Sequence, residues 1–171
     1  MKQYFRSGSS DKKLSMEEVG QRIVDFIHKY EGYDFEIRIG SDSQELSAKR
    51  GKHIIQYATI IFVYRIGYGG IYFLTKEKDT IKSSEDYINI WQRIPKEAEK
   101  SIKIAEQITK YIVPKCVEAK SDITIDIDVG PNGRSRDTIQ TVMGMAKGYG
   151  YCVSVKPDAI ASRAADKHCR R

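Results

Sequence analysis

Phe35-Glu36-Ile37-Arg38-Ile39-Gly40-Ser41-Asp42 alternates apolar and polar side chains, the mark of a strand with one buried face. The run predicts a half-buried strand closed by a carboxylate, Asp42. Downstream, residues 54–65 are rich in β-branched and aromatic side chains, Gly67-Tyr68-Gly69-Gly70 reads as a turn, and residues 71–75 read as a further strand. Together they predict an antiparallel hairpin continuing a meander from the first strand. Upstream, Ser15 and Glu18 have capping-box spacing, and Val19, Ile23, Phe26, Ile27 and Tyr30 follow at helical spacing. An amphipathic helix therefore precedes the meander. Residues 1–14 are polar and rich in Ser and Gly; they are expected to form a flexible N-terminal tail, with residues 15–171 as one domain.

Beyond the meander the pattern changes. Ser83-Ser84-Glu85-Asp86 reads as a helix start, and Pro95 fits a first helical turn or a kink inside a longer helix. Ile94, Ala98, Ile102, Ala105, Ile108 and Ile112 form one apolar stripe, which Pro114 ends. Ile123, Ile125, Ile127 and Val129 alternate with Thr124, Asp126 and Asp128, predicting a fourth strand. Gly130-Pro131-Asn132-Gly133 leads into a helix carrying Ile139, Val142, Met143 and Ala146. Residues 151–155 form a fifth strand, and Lys156-Pro157-Asp158 opens a last, alanine-rich helix. The order α-β-β-β-α-β-α-β-α predicts an α/β fold. Its sheet is mixed and five-stranded, with helices on both faces and an extra helix at the N-terminal end.

The chain has 171 residues, 40% hydrophobic and 30% charged, which excludes a disordered or collagen-like polypeptide. Lys and Arg number 29 against 23 Asp and Glu, a net charge of +6, which is compatible with a polyanionic partner such as nucleic acid. Cys116, Cys152 and Cys169 lie far apart with no C-x-x-C pair. A disulfide framework or zinc knuckle is not expected, and a reducing cytoplasm fits. No apolar signal region opens the sequence, and the longest apolar stretch, residues 57–64, is far shorter than a membrane span. A soluble cytoplasmic protein without membrane association is expected.

The acids stand out by position. Asp42 closes the first strand and Asp128 the fourth, both off the apolar parity. If those strands are neighbours, about 4.8 Å apart, the two carboxylates are close. Helical geometry turns Glu97 towards the sheet and Glu99 towards water. On the last helix Asp158, Ser162 and Asp166 share one face, and Ala161, Ala164 and Ala165 allow a close approach to the sheet. Each acid alone has a structural alternative: a turn, an N-cap (Asp158 above all), or the favourable end of a helix dipole for Glu97. Gathered together they repel. Two unit charges about 5 Å apart cost roughly 3 kcal/mol at an effective dielectric near 20, against a domain stability of about 5–15 kcal/mol. A cluster therefore needs protonation or a cation, and hard oxygen donors favour Mg²⁺ or Mn²⁺.

Five blocks of sequence carry a resemblance. They are Ile39-Gly40-Ser41-Asp42-Ser43-Gln44; Arg93-Ile94-x-x-Glu97-x-x-x-Ser101; Asp126-x-Asp128-Val129-Gly130-x-Asn132-Gly133-x-Ser135; Gly144-Met145-x-x-Gly148-Tyr149-Gly150-Tyr151; and Lys156-Pro157-Asp158-Ala159 followed by Ala164-Ala165-Asp166-Lys167. Across residues 15–169 the chain resembles the bacterial YkuK family, a ribonuclease H-like group without an assigned activity. The resemblance implies a sheet order of 3-2-1-4-5 with the first three strands antiparallel, and a two-metal nuclease site. It places Asp42, Glu97, Asp128 and Asp166 as catalytic residues and metal ligands, with Asp158 a rival for Asp166 and Asp126 a rival for Asp128. Asp42-Ser43-Gln44 departs from the D-x-E of proofreading-type exonucleases. His168, two residues after the last acid, receives no role.

The chemistry so implied is metal-assisted hydrolysis of a phosphodiester. Ser43, Gln44, Asn132, Gly133, Arg134 and Lys156 are expected to bind substrate. Lys49, Arg50, Lys52, Arg136 and Arg163 are further candidates for phosphate contacts. The glycine-bearing loop from Asp128 to Ser135 lacks the G-K-[ST] of a P-loop; it reads as an ordinary turn or as a phosphate-holding element bordering the acids. The competing functional readings are a non-catalytic nucleic-acid-binding module and a nucleotide-sensing module on the same fold.

Overall fold

The computed structural model describes residues 3–8, 10–112, 114–115, 123–129 and 136–169. The elements in chain order are β1 (Phe5–Ser7), β2 (Ser10–Leu14), α1 (Met16–Lys29), β3 (Phe35–Lys49), β4 (Lys52–Arg65), β5 (Gly69–Lys82), α2 (Ile90–Ile112), β6 (Ile123–Ile127), α3 (Arg136–Gly148), β7 (Cys152–Val155) and α4 (Ile160–Cys169). One seven-stranded sheet runs in the order β2-β1-β5-β4-β3-β6-β7. Its inner arrangement, β5-β4-β3-β6-β7, has the expected 3-2-1-4-5 order. β3, β4 and β5 are antiparallel, and β6 is parallel to both β3 and β7.

The expected strand count of five is corrected to seven by the N-terminal hairpin. Phe5–Ser7 and Ser10–Leu14 are paired strands and not a loose tail. β1 pairs with β5 through Arg6↔Leu74 and Ser7↔Phe73, while β2 pairs with β1. Phe5 and Leu14, 0% and 1% exposed, join the core with Val19, Ile23 and Phe73. Only two apolar side chains anchor this hairpin, too few to give a periodic signal.

α1 is capped as its sequence requires: Ser15 Oγ accepts from Glu18 N at 3.2 Å, and Glu18 Oε2 accepts from Ser15 N at 2.7 Å. α1, α2 and α3 bury Ile23, Ile27, Ile102, Ile108 and Val142 against Ile37, Ile39, Ile61, Val63 and Ile125 on one sheet face. α4 packs on the other face, where Ala161 and Ala165 meet Ala58 and Ile60. That approach needs Gly40, since a Cβ there would stand 2.3 Å from Ser162 N. α2 begins later than its sequence suggested. Ser83 Oγ accepts from Glu85 N in a local turn at 3.1 Å, and Asn89 Oδ1 caps the helix by accepting from Trp91 N at 3.1 Å. Pro95 lies inside this longer helix.

β3 also exceeds its expected length. It continues past Asp42 to Lys49, turns at Arg50-Gly51, both with positive φ (50° and 70°), and pairs with β4 from Lys49↔Lys52 onward. Two consecutive positive φ values match the right-handed twist of a two-residue hairpin. Asp42 is therefore mid-strand. Lys49, Arg50 and Lys52 sit at the hairpin tip, not beside the acids: seven residues at about 3.4 Å each put Lys49 roughly 24 Å from Asp42. Among the described residues no helix is long and apolar enough to cross a membrane.

Candidate active site

β6 pairs with β3 from Ile37↔Ile123 as far as Gly40↔Asp126. Past that rung the two strands part, and β3 presents Ser41, Asp42 and Ser43 along an edge that β6 no longer covers. Side chains alternate faces along a strand, so Asp42 lies on the α4 side and Ser43 on the α2 side. The gap is thus lined from both faces of the sheet.

From the α2 side comes Glu97, 5% exposed, with Ser43 Oγ donating to its carboxylate. Glu99 points to water and pairs with Lys96 at 2.7 Å, the split that helical geometry predicts. Burial pushes the Glu97 carboxyl up to about 8, and the charges of Asp42 and Asp128 add to the rise against the Ser43 hydrogen bond and Arg93. Burial likewise raises Asp42 to about 6, with Asp166 and Asp128 contributing and the Ser43 backbone N–H and Arg93 opposing. Acids from β3, α2, the end of β6 and α4 are thus linked electrostatically through Asp42, which feels Asp128 and Asp166 and acts on Glu97.

Asp128 stands one residue past β6 with its side chain 19% exposed, and Lys156 Nζ lies 2.9 Å from its Oδ1. Lys156 reaches it from the segment after β7, which Lys156 N→Val129 O at 3.1 Å holds alongside. Asp166 is half-buried on α4. Beneath the site Cys169 Sγ donates to the Asp42 carbonyl at 3.0 Å, and burial pushes this thiol up to about 12.

The two rivals part company with the cluster. Asp126 is fully buried and accepts from Ala161 N at 2.7 Å, with Arg38 Nε 3.6 Å from its other oxygen. It holds the start of α4 against the sheet, and burial raises it to about 6 against those two partners. Asp158 is exposed and engaged through its backbone, its carbonyl accepting from Arg38 Nη1 at 2.5 Å and its N–H donating to Val155 O at 2.9 Å. The cap at α4 is supplied by Asp126 from the sheet.

Of the residues expected to bind substrate, Ser43 is 7% exposed and fully engaged, donating to Glu97 and accepting from Arg93 Nη1 at 2.9 Å. It positions Glu97 and does not face solvent. Gln44 is exposed on the same sheet face as Asp42. Lys156 is at the cluster. Asn132, Gly133, Arg134 and the rest of the glycine-bearing loop lie outside the described residues, as does Cys116. Arg93 is the site residue whose role was not read from the sequence. Its Nη1 binds both the Ser43 carbonyl and hydroxyl, and its charge favours ionised Asp42 and Glu97. Its signal was present: Arg93 and Glu97 are four apart, on one helical face.

A family model for ribonuclease H-like proteins matches residues 18–170. The chain belongs to the ribonuclease H-like family. No curated protein and no solved structure matches it. In this ribonuclease H-like chain the donor set, four carboxylates with one buried Asp128 oxygen met by Lys156 Nζ, suits a hard divalent cation in its chemistry. Among the described residues no three His, Cys, Asp or Glu side chains are close enough to hold an ion as they stand. Two native cations, Lys156 and Arg93, offset the cluster instead.

Proposed function

We propose that the chain is a divalent-metal-dependent phosphodiester hydrolase acting on nucleic acid in the cytoplasm. The observation that supports it is the elevation of both Asp42 and Glu97 beside one strand gap, Asp42 raised by burial with Asp166 and Asp128, and Glu97 by burial with Asp42 and Asp128. A fold with only about 5–15 kcal/mol of net stability gains nothing from buried, repelling acids, and perturbed carboxylates gathered at a strand gap are the pattern of a functional site. Asp42, Glu97, Asp128 and Asp166 would hold Mg²⁺ or Mn²⁺. Bound there, such an ion would make a nucleophile from water at neutral pH and offset charge on the phosphodiester.

The residues of the chain do the rest. Arg93 and Ser43 fix the Glu97 carboxylate, so one ligand is pre-oriented before the site is loaded. Lys156, 47% exposed, swings away from Asp128 and meets substrate phosphate. Gln44, on the Asp42 face, lies within reach of the same substrate. Asn132, Gly133 and Arg134 complete the substrate contacts in this reading.

The test compares hydrolysis of DNA and RNA oligonucleotides by parent, Asp42→Asn and Asp128→Asn with Mg²⁺ or Mn²⁺, and with EDTA. The parent should cleave only with metal, and both variants should lose at least a hundredfold. Equal activity in parent and variants would sink the reading. The Lys156–Asp128 contact supports the second reading, a binding module whose own lysine occupies the place of a cation. Binding of oligonucleotide without turnover, and no heat of Mn²⁺ binding by calorimetry, would establish it.

A further inference from the structure

α4 covers β3 and β4 on its face of the sheet. Beyond it, β5 and the β1–β2 hairpin border an open cleft of about 660 Å³. Tyr72 and Lys76 alternate along one face of β5 as its floor. The register sets Arg6 opposite Leu74 and Lys13 opposite Arg6, so both cations project on that same face. Tyr4 lies two residues before Arg6 and is 48% exposed. His168 of α4 forms the near wall, its ring 6.3 Å from that of Tyr72. Lys103 of α2 joins at the rim.

Charge decides what fits. Arg6, Lys13, Lys76 and Lys103 are exposed and form no ion pair among the described residues. The acid in the lining, Glu77, is already held by Lys100 at 3.0 Å. Among the described residues the cleft is therefore a concentration of positive charge without ion-pair partners. Aromatic rings are interleaved with it: Lys13 Nζ stands 5.7 Å from the Tyr4 ring centroid.

We propose that this cleft binds single-stranded nucleic acid, its cations meeting phosphates and the Tyr4 and Tyr72 rings stacking on unpaired bases. Rings beside cations suit a single strand, whose bases are free to stack. A duplex keeps its bases inside, and an acidic peptide has no need of the rings. Residues 4–14 precede the stretch matched by the family model, so one wall of the cleft lies outside that match. The cleft also aligns with the acids. Asp42 pairs with Ala58, and Ala58 with Lys76, on one sheet face. Two strand spacings put Lys76 roughly 10 Å from Asp42, so a strand lying in the cleft leads towards the carboxylates, past the last turn of α4. This inference rests on the nucleic-acid part of the function proposed above and not on hydrolysis.

The test is fluorescence anisotropy in EDTA with labelled 20-nucleotide single-stranded DNA and RNA, a blunt duplex of equal length, and polyglutamate, across a salt series. The parent should bind a single strand at least tenfold more tightly than duplex or polyglutamate. Arg6→Glu with Lys13→Glu should weaken single-strand binding at least tenfold and flatten its salt dependence. Tyr4→Ala should weaken it about threefold with the salt slope unchanged. Binding measured in EDTA, where no metal-dependent hydrolysis can run, separates this proposal from the hydrolase reading. Arg6, Lys13 and Tyr4 are exposed, and unchanged circular dichroism and melting verify folding. Parent-like binding by the charge-reversal variant, no single-strand binding by the parent, or equal binding of duplex or polyglutamate would overturn the proposal.

Discussion

The Ser43 hydroxyl donates to the Glu97 carboxylate, joining β3 to α2 across the mouth of the strand gap. Arg93, one helical turn before Glu97, binds the same hydroxyl at 2.9 Å and the Ser43 carbonyl at 2.5 Å. A buried acid is thereby fixed in direction by two neighbours that are themselves fixed. Ser43→Ala removes the donor and leaves Glu97 desolvated. The expected result is a loss of about 1–2 kcal/mol in urea unfolding and a Glu97 carboxyl pushed higher still. The alkaline shift should appear in the pH–rate profile. A profile identical to the parent's would show that Ser43 does not position Glu97.

The raised acids make stability fall with pH in the absence of metal. Glu97 has an ordinary value of 4.5 and is raised to about 8; Asp42 goes from 3.8 to about 6. Between those limits the folded chain holds more protons than the unfolded one, so the unfolding free energy declines as pH rises. His53, raised from 6.5 by Glu45 at 2.5 Å, adds stability present below its unfolded value and lost as pH climbs through the folded one. Its share also slopes downward. In EDTA, the melting temperature should therefore drop from pH 5 to pH 8. Glu97→Gln, which still accepts from Ser43, should remove the Glu97 share and be more stable at pH 8 by roughly 1–3 kcal/mol, each pKa unit being about 1.4 kcal/mol. A variant with the parent's slope would contradict this.

The contrast between what the sequence disclosed and what it hid follows from how local each signal is. Ile37, Ile39 and Ile125 lie in short runs with clean alternation, so the inner strands and their parallel or antiparallel sense were legible. So was the turning of Glu97 inward and Glu99 outward, which depends only on helical pitch. The N-terminal hairpin depends on Phe5 and Leu14 finding a core built by residues far along the chain, and no local pattern announces that. The tip of β3 is polar, with Gln44, Glu45, Ser47 and Lys49 in a row of mixed character. It is ordered by pairing with β4 and by the half-buried Glu45–His53 contact. Asp126 and Asp128 share a parity and could not be separated by spacing. Only the arrival of the α4 amide at Asp126 tells them apart.

That separation is measurable. Asp126→Ala strips the partner from buried Arg38 and from Ala161 N, and breaking a buried charged pair costs about 3–5 kcal/mol. Asp128→Asn loses a partly exposed contact with Lys156, for which about 0–1 kcal/mol is expected. Urea unfolding of the two variants should differ by more than about 2 kcal/mol. Similar stabilities would mean that Asp126 does not hold α4.

Gly40 tests whether α4 is seated by contact with the bare backbone of β3. A Cβ there would meet Ser162 N at 2.3 Å and Ala161 C at 2.8 Å, both backbone atoms that cannot rotate away. Gly40→Ala therefore displaces α4. Overpacking of this kind costs about 1–3 kcal/mol, partly offset by about 0.4–1 kcal/mol from a less flexible unfolded chain. A net loss of about 1–2 kcal/mol is expected. Because Asp166 rides on α4 and Asp42 lies two residues from Gly40, the shift also separates those carboxylates. Activity should fall by more than the folded fraction accounts for, and the single-strand affinity of the hairpin should stay within twofold, since Arg6 and Lys13 do not ride on α4. An active, fully stable Gly40→Ala protein would show that the helix has room to move and that its acid is not held where the geometry places it.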